Sequence, residues 1–289
     1  MKSKAAPWAL LALCAVATWP VARLCSAQGD EGEYRVREIG KRVWAIEGRG
    51  GNAVVFADPV ETLVINCKLG RHATEFGKLV TSLGGGPWRW LVLTDHRPET
   101  ADAVDKIDPS VKILAHHRTD ERLRAAGKRG ADLTFDSTIN LRVGGKMVTV
   151  QHKGPAQTDG VVYAYLHEQQ ILVAGDLVAN KVHPSMWPEE GGTIRAALRV
   201  LKDLRKDYKG SAATMKLVPG LGETGTHALF EETIGYWTAL LDLGNEAHRH
   251  GLTLSEAQGS ADALRLKYAG YGGDRFAKNV AAAYEETKQ

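Results

Sequence analysis

Cysteine is scarce in this chain: its 289 residues include three, Cys14, Cys25 and Cys67. The first two fall in an N-terminal apolar segment typical of a cleaved leader. A mature chain would therefore keep Cys67 alone and could form no internal disulfide. Cys67 ends an apolar run that starts at Thr62, so we predict a buried core residue rather than a reactive thiol. A fold that depends on disulfides is excluded for such a mature chain.

Net charge is nearly absent outside the same leader. The chain has 37 basic and 34 acidic residues, and the excess of three matches Lys2, Lys4 and Arg23, which lie in a segment without any acid. A neutral body lacks the basic face that nucleic-acid phosphates or an anionic membrane surface require. We therefore expect neither nucleic acid nor a membrane as a partner once the leader is removed.

Long apolar runs are missing except at residues 5–22, which follow a short cationic start and precede small residues at 25–27. This order is typical of a secretory signal peptide cleaved after Ala27. A membrane anchor is the alternative, but two prolines interrupt the run and no cationic stop follows it. No later segment has the roughly 20 apolar residues of a spanning helix. We predict a periplasmic or secreted protein whose mature chain begins at Gln28.

The rest of the chain alternates short strands with turn signals and then becomes increasingly helical. Apolar or alternating runs predict strands at 43–46, 53–56, 63–65, 88–94, 111–114, 147–151, 161–166, 171–174 and 216–219. Helices are predicted at 72–83, at 193–208 and over most of 226–289. Strands and helices in this order, without a linker, predict one layered α/β domain over 28–289 with helices outside two sheets.

Several standard catalytic and nucleotide motifs are also missing. The chain has no G-x-S-x-G nucleophile elbow and no Walker phosphate loop. Residues 220–225 do match G-x-G-x-x-G, but a dinucleotide site needs a second parallel strand after the following helix. Almost everything after Gly225 is predicted to be helical. We therefore interpret this segment as a glycine-rich turn.

Polar or turn residues follow four of the predicted strands, where sites on layered α/β folds usually lie. These segments are residues 94–100, 154–160, 174–176 and 218–222. Their order and spacing resemble the metallo-β-lactamase fold, particularly its glyoxalase-II-like and related exported hydrolases. The resemblance covers the chain from about Tyr34 to Gln289. It implies a four-layer αββα sandwich.

The same resemblance implies that the family's two-zinc centre has been lost. The seven positions that hold zinc ligands in the family are occupied here by Asp95, Arg97, Glu99, Thr100, Gln157, Asp176 and Leu221. Only Asp176 matches the family's ligand. Thr94 keeps the first residue of the T-H-x-H-x-D-H motif, and Asn66 replaces an aspartate that supports the site.

The chemistry of these replacements argues against zinc. Zinc is bound by deprotonated nitrogen, sulfur or carboxylate ligands, and neither leucine nor arginine can serve. Arg97 also stays protonated and places a fixed positive charge in the site. We therefore expect no cofactor. The alternative is a hard divalent ion held by Asp95, Glu99 and Asp176, but we favour Arg97 as the counter-charge of these acids, in contact with Asp176.

Two functions follow from the resemblance. The first is a non-catalytic descendant, a pseudoenzyme that holds a small ligand or a partner in the old cleft. The second is a hydrolase of esters, thioesters or lactams that uses a rebuilt carboxylate metal site or no metal. Arg97, Gln157 and Leu221 favour the first, whereas the acids Asp95 and Asp176 favour the second.

The histidines and tryptophans near these motifs carry weaker signals. His96 lies at a non-ligand position, where a surface or supporting role is expected. His116 and His117 follow a strand and are expected to face opposite ways, while His152 flanks a motif. Trp187 is interpreted as a core residue, with the lip of a pocket as the alternative.

Overall fold

The computed structural model describes residues 34–288, and residues 31–289 form one compact unit. The predicted leader over 1–27 lies outside the described residues. The strands are β1 (Arg35–Gly40), β2 (Val43–Glu47), β3 (Ala53–Ala57), β4 (Thr62–Ile65), β5 (Trp88–Val92), β6 (Lys112–His116), β7 (Leu133–Phe135), β8 (Thr138–Val143), β9 (Lys146–Gln151), β10 (Tyr163–Leu166), β11 (Ile171–Ala179), β12 (Lys216–Leu221) and β13 (Gly225–Thr226). The helices are α1 (Ala73–Ser82), α2 (Pro98–Ala101), α3 (His117–Ala125), α4 (Ile194–Asp207), α5 (Ala228–Arg249), α6 (Leu254–Ser260), α7 (Asp262–Lys267) and α8 (Phe276–Thr287).

Two sheets divide the strands by sequence order. The first sheet has seven strands in the order β1 to β7, antiparallel from β1 to β4 and parallel from β4 to β7. The second has six, in the order β13-β12-β11-β10-β9-β8, and only β11 and β12 run parallel. The parallel strands β4, β5 and β6 therefore end at one common edge, where the segment after β5 begins.

Alternating side chains explain how the sheets stack. Successive residues of a strand point to opposite faces, so Val54 packs between the two sheets while its neighbour Val55 packs beneath the helices of the first sheet. The amphipathic helix α1 places Phe76 and Leu79 against that outer face. On the far side, α4, α5 and α8 cover the second sheet. The result is the four-layer αββα sandwich that the sequence predicted.

Strands at the edges account for what the sequence analysis missed. It predicted most inner strands to within a few residues, but not β1, β7, β8 or β13. Edge strands expose one face and one hydrogen-bonding edge, so their sequences carry more charge and less apolar alternation. The prediction for the glycine-rich segment is supported by its geometry, because β13 returns antiparallel to β12 and no β-α-β unit forms.

Two further features of the described chain bear on the sequence analysis. Cys67 is fully buried, as predicted, and burial raises the pKa of its thiol to about 12, which keeps it protonated and unreactive. No helix among residues 34–288 is both long enough and apolar enough to cross a membrane.

Candidate functional site

The cleft is formed where four chain segments meet at the strand ends. Residues 93–100 follow β5, residues 152–162 connect β9 to β10, Asp176 lies within β11, and β12 ends at Leu221. The turn after β11, residues 186–192, packs against the second of these segments, because the Trp187 amide donates to the Gln157 carbonyl at 3.1 Å. We refer to this space as the cleft.

Asp95 organises the segment after β5. Its Oδ1 accepts hydrogen bonds from the Arg97 amide at 2.7 Å and from Thr100 Oγ1 at 2.6 Å. These bonds turn the chain into the short helix α2 directly after Pro98. Asp95 is 1% exposed, and this burial raises the pKa of its carboxyl group although both hydrogen bonds act to lower it. Its Oδ2 atom is buried without a hydrogen-bond partner.

Asn66 holds this segment in place from the neighbouring strand β4. Its Oδ1 accepts from both the amide and the hydroxyl of Thr94, at 2.9 and 3.0 Å. Asn66 has a φ of +62°, a left-handed conformation that asparagine tolerates better than most residues. The replacement of an aspartate by Asn66 therefore preserves a structural support without adding a negative charge beside the cleft.

Asp176 projects into the cleft from β11. A Cβ atom at Gly220 would collide with Asp176 Oδ1, so only glycine fits at that position of β12. Burial raises the pKa of Asp176 well above its usual range, and the nearby carboxylates of Asp95 and Glu99 raise it further. Among residues 34–288 the carboxylate has no hydrogen bond or ion pair. Three acids that face one another therefore lack the counter-charge that would satisfy them.

A small cavity of about 170 Å³ adjoins Asp176. Its other walls are mostly apolar and come from Val178, Ala179, Pro184, Ser185 and Leu221. Leu221, which takes the place of a family zinc ligand, is thus a wall residue of the cleft. The volume is below the roughly 300 Å³ at which pockets for drug-sized ligands begin, so any occupant of this space is small.

Gln157 lies on the opposite side and is fully buried. Its Nε2 donates to the Leu177 carbonyl at 3.2 Å, which fixes the side chain beside β11. Its Oε1 is buried and has no hydrogen-bond partner. Buried acceptors in folded proteins are almost always paired, so this oxygen marks a place that solvent or a ligand would fill.

Arg97 corrects one prediction. Its guanidinium pairs with Glu190, at 2.8 Å from Nη1 to Oε1, and not with Asp176. It also lies over the Trp187 ring, with Cζ 3.5 Å from the ring centroid. The cause is the turn at 187–190, which supplies both a carboxylate and an aromatic face on the side away from Asp176. Arg97 nevertheless lies near enough to Asp176 to lower the pKa of that carboxyl group.

Glu190 joins this turn to the rest of the cleft. Besides Arg97, His96 approaches it, with 3.2 Å between His96 Nε2 and Glu190 Oε2. The Glu190 carbonyl accepts from Arg122, which also holds Asp159 through two hydrogen bonds of 2.6 and 3.2 Å. His96 is thus a supporting residue, as expected, although it is largely buried. The turn is held over the cleft by two arginines.

Arg275, which precedes α8, also reaches the cleft from the helical C-terminal part. Its Cζ atom lies 4.2 Å from the centroid of the Trp187 ring, so two guanidinium groups stack on one indole. Arg275 also lowers the pKa of Asp176. It makes no hydrogen bond or ion pair with any of the described residues. Trp187 therefore lies at the lip of the cleft and not in the core that the sequence analysis favoured.

Lys68 stiffens the β2–β3 loop next to the cleft. It is fully buried, and its Nζ donates to the carbonyls of Ile46, Gly48 and Gly51 at 2.7, 2.9 and 2.6 Å. The Gly51 amide in turn donates to the Glu99 carbonyl at 3.0 Å. Burial lowers the pKa of Lys68 to about 7. This lysine is satisfied by backbone carbonyls and acts as a structural brace.

Buried polar atoms that lack a partner are concentrated in the cleft. Across the described chain there are twelve such side-chain atoms, and six of them belong to the segments just described. They are Asp95 Oδ2, His96 Nδ1, Arg97 Nε, Glu99 Oε2, Gln157 Oε1 and Trp187 Nε1. In native proteins such atoms are normally paired with protein, water, an ion or a ligand. Their clustering indicates a place built to bind something polar.

The donor set was tested against the zinc pair that metallo-β-lactamases carry. Within residues 34–288, no group of three or more His, Cys, Asp or Glu side chains is arranged to hold a metal ion. The ligand positions hold an arginine, a leucine, an amide and a hydroxyl, none of which is a normal zinc ligand. The residues present do not fit a two-zinc centre. Whether the protein binds zinc or a hard ion in solution stays a prediction.

A second titratable cluster lies outside the cleft and corrects another prediction. The rings of His116 and His152 stack with centroids 4.1 Å apart, and the ring of His117 lies 4.3 Å from that of His116. Adjacent histidines were expected to face opposite ways. They touch because His116 ends β6 while His117 begins α3, so the strand alternation stops between them. We call these three residues the histidine stack.

The sequence analysis missed four residues that shape this region: Trp187 as a lip residue, Glu190, Arg275 and Lys68. Trp187, Glu190 and Arg275 lie in turns or at a helix start far along the chain from residue 97. Their one available signal was the Trp-Pro-Glu-Glu turn at 187–190, where an aromatic and acidic groups stand together.

Comparison with known proteins gives the fold but no closer relationship. No family model matches the chain, and no curated protein matches it in sequence. Solved structures do match. The metallo-β-lactamase DIM-1 superposes with a TM-score of 0.64 at 18% identity over 73% of this chain and 99% of its own. A metallo-β-lactamase from Pontibacter korlensis gives 0.62 at 18% identity, over 71% and 99%. TMB-1 gives 0.61 at 17% identity, over 72% and 98%.

These structures match in nearly their whole length, and they share with this chain two stacked sheets covered by helices on both sides. Identities of 17 and 18% are too low to carry activity from one protein to another. What they establish is the architecture, in agreement with the resemblance drawn from the four motifs. The chain therefore has the metallo-β-lactamase fold.

Proposed function

We propose that this protein is a non-catalytic descendant of a metallo-hydrolase and binds a small polar molecule in the cleft. The observation that carries the proposal is the group of six buried polar atoms without partners around the cleft. Groups of this kind cost free energy, about 1 to 3 kcal/mol each when left unsatisfied. A protein that keeps them at one place gains most when a polar ligand pairs them.

The residues at the former ligand positions support the loss of zinc chemistry. Arg97 brings a permanent positive charge within electrostatic reach of Asp176, which opposes a divalent ion there. Leu221 and Thr100 add no metal ligand. Without zinc the fold has neither a metal-bound hydroxide to attack a carbonyl group nor a Lewis acid to polarise it.

The test is metal analysis of the purified chain together with a screen for hydrolysis of esters, thioesters and lactams. We expect far less than one zinc per chain, no hydrolysis that a chelator removes, and a thermal midpoint that chelators leave unchanged. Stoichiometric zinc with chelator-sensitive hydrolysis would contradict the proposal.

A second candidate is a hydrolase with a hard divalent ion on Asp95, Glu99 and Asp176. It is favoured by the unpaired oxygens Asp95 Oδ2 and Glu99 Oε2, since carboxylate oxygens suit magnesium, manganese or calcium. The acids would have to move together first. A rise of the thermal midpoint with added Mg²⁺, Mn²⁺ or Ca²⁺, lost in Asp176→Asn, would select this candidate.

We also propose export through residues 1–27. The cationic start, the apolar run and the small residues before Gln28 support it. The intact mass of protein recovered outside the cytoplasm should correspond to residues 28–289. A mass that includes residues 1–27 would reject export with cleavage.

A further inference from the structure

The cleft has two chemically opposite sides, and this polarity restricts what can bind there. One side carries hydrogen-bond donors and positive charge. The other carries acceptors and acids. The following inference rests on the proposed function, because it names the class of small molecule that the cleft would take.

The donor side is built on Trp187. Arg97 and Arg275 lie over its ring, with Cζ atoms 3.5 and 4.2 Å from the centroid. Arg97 pairs with Glu190 through Nη1 but has a buried Nε without a partner, and the indole Nε1 of Trp187 is also buried without one. Arg275 has no acid of the described chain as a partner. These three groups leave one positive charge and at least two N–H donors for an anionic group.

The acceptor side is built on Asp95 and Gln157. Asp95 is 1% exposed and Gln157 is fully buried, yet Asp95 Oδ2 and Gln157 Oε1 have no donor. Glu99 Oε2 is a third buried oxygen without a partner. Two carboxylates and an amide carbonyl can together receive the N–H groups of an ammonium ion, which has donors only.

Asp176 stands between the two sides. The charges of Asp95 and Glu99 act on its carboxyl group in one direction, and those of Arg97 and Arg275 act in the other. The donor and acceptor sides therefore lie within a few ångströms of the same residue. The cavity of about 170 Å³ beside Asp176 is small, and its wall is apolar at Val178, Ala179 and Leu221.

We propose that the cleft binds a small zwitterion of the amino-acid type, with its carboxylate against Arg97 and Arg275 and its ammonium group against Asp95, Glu99 and Asp176. The apolar wall leaves room for a short aliphatic side chain. A molecule with only one of the two charges would satisfy one side and leave the other unpaired.

The experiment measures binding to the purified mature chain by calorimetry and by thermal shift. The panel contains glycine, alanine, valine and serine, with propylamine and propionate as single-charge controls and glycerol as a neutral polar control. We expect at least one amino acid to bind and to raise the midpoint. Propylamine and propionate should bind at least tenfold more weakly.

Variants assign the two sides. Arg275→Gln removes a guanidinium that has no ion pair among residues 34–288, so folding should be retained while amino-acid affinity falls at least tenfold. Asp176→Asn should weaken binding of the amino acid but not of propionate. Arg265→Gln is the matched control, because Arg265 also lies over an aromatic ring, 5.6 Å from the centroid of Phe276, and should leave affinity unchanged.

The outcomes separate this inference from the proposed function. If no amino acid binds, if propylamine or propionate binds as tightly, or if Arg275→Gln binds normally, the inference is overturned. Binding of glycerol alone, abolished by Asp176→Asn, would keep the proposed cleft and reject the zwitterion. Stoichiometric zinc with hydrolysis would reject the proposed function itself.

Discussion

The acidic side of the cleft and the histidine stack are two titratable clusters at strand ends, but they satisfy their polar atoms in different ways. In the stack, His116 Nε2 donates to the Asp136 carbonyl at 3.0 Å and Nδ1 accepts from the Arg118 amide at 3.3 Å. His152 Nδ1 donates to the Val161 carbonyl at 2.8 Å. In the cleft, Asp95 and Glu99 each keep a buried oxygen without a donor.

This difference separates a structural cluster from a binding one. Both contain buried groups with shifted pKa values, so a shifted pKa alone does not identify a site. The stack uses the ring nitrogens of His116 to cap α3 and to tie β6 to the chain after β7. The cleft leaves its atoms unused by the fold. We therefore expect the stack to contribute to stability and the cleft to cost stability in the absence of a ligand.

The largest expected effect is the loss of the central ring of the stack. His116→Ala removes two hydrogen bonds and two ring contacts from a side chain that is 2% exposed. The free energy of unfolding should fall by about 3 kcal/mol. Chemical denaturation at pH 7 measures it, with the exposed His250→Ala as control. A change below about 0.5 kcal/mol would show that the stack is not structural.

Acid should move the two clusters in opposite directions. Burial lowers the pKa of His116 to about 4, below its unfolded value near 6.5, so its contribution is present above pH 6.5 and is lost as the pH falls through 4. The loss should be on the order of 2 kcal/mol. Asp95 and Asp176 have raised pKa values, so the native state binds more protons than the unfolded chain above pH 4. They gain stability as the pH falls.

Denaturation of three proteins between pH 7 and pH 4 separates these contributions. Asp176→Asn should lose stability more steeply on acidification than the wild type, because one compensating acid is gone. His116→Ala should lose stability less steeply, or gain it. Identical slopes in all three would mean that neither cluster controls the acid response.

The smallest effect should be a gain. Asp176→Asn keeps the size of the side chain, removes no hydrogen bond made within the described chain and relieves repulsion from Asp95 and Glu99. We expect unfolding at pH 7 to become about 1 kcal/mol less favourable. The exposed Asp242→Asn in α5 is the control and should change little. A loss of stability in Asp176→Asn would place this acid with the structural cluster instead.

The buried strands and the four strand-end segments could be read from the sequence because their signals are local. Apolar alternation defines β3 and β5, and the turn residues after β5 and β12 mark where these strands end. The placement of Asp95, Gln157 and Asp176 around one cleft follows from motif order alone. Edge strands such as β8 escaped because their exposed residues weaken the alternation.

The partner of Arg97 could not be read in the same way. Its residue type predicts a carboxylate partner, and Asp176 was the nearest in the motif scheme. The actual partner, Glu190, is 93 residues further along the chain in a short turn. Arg275 comes from a different layer of the sandwich. Such contacts depend on how loops of opposite sheets meet, and no local periodicity encodes that.

The amino-acid sequence by itself therefore determined the fold class, the burial of Cys67 and the identity of the residues at the former ligand positions. These depend on composition, hydrophobic period and spacing, which are properties of the chain. Only the tertiary structure decided which charges meet: Arg97 with Glu190, two arginines with Trp187, and His116 with His152. Charge pairing depends on distances between residues remote in sequence, and folding sets those distances.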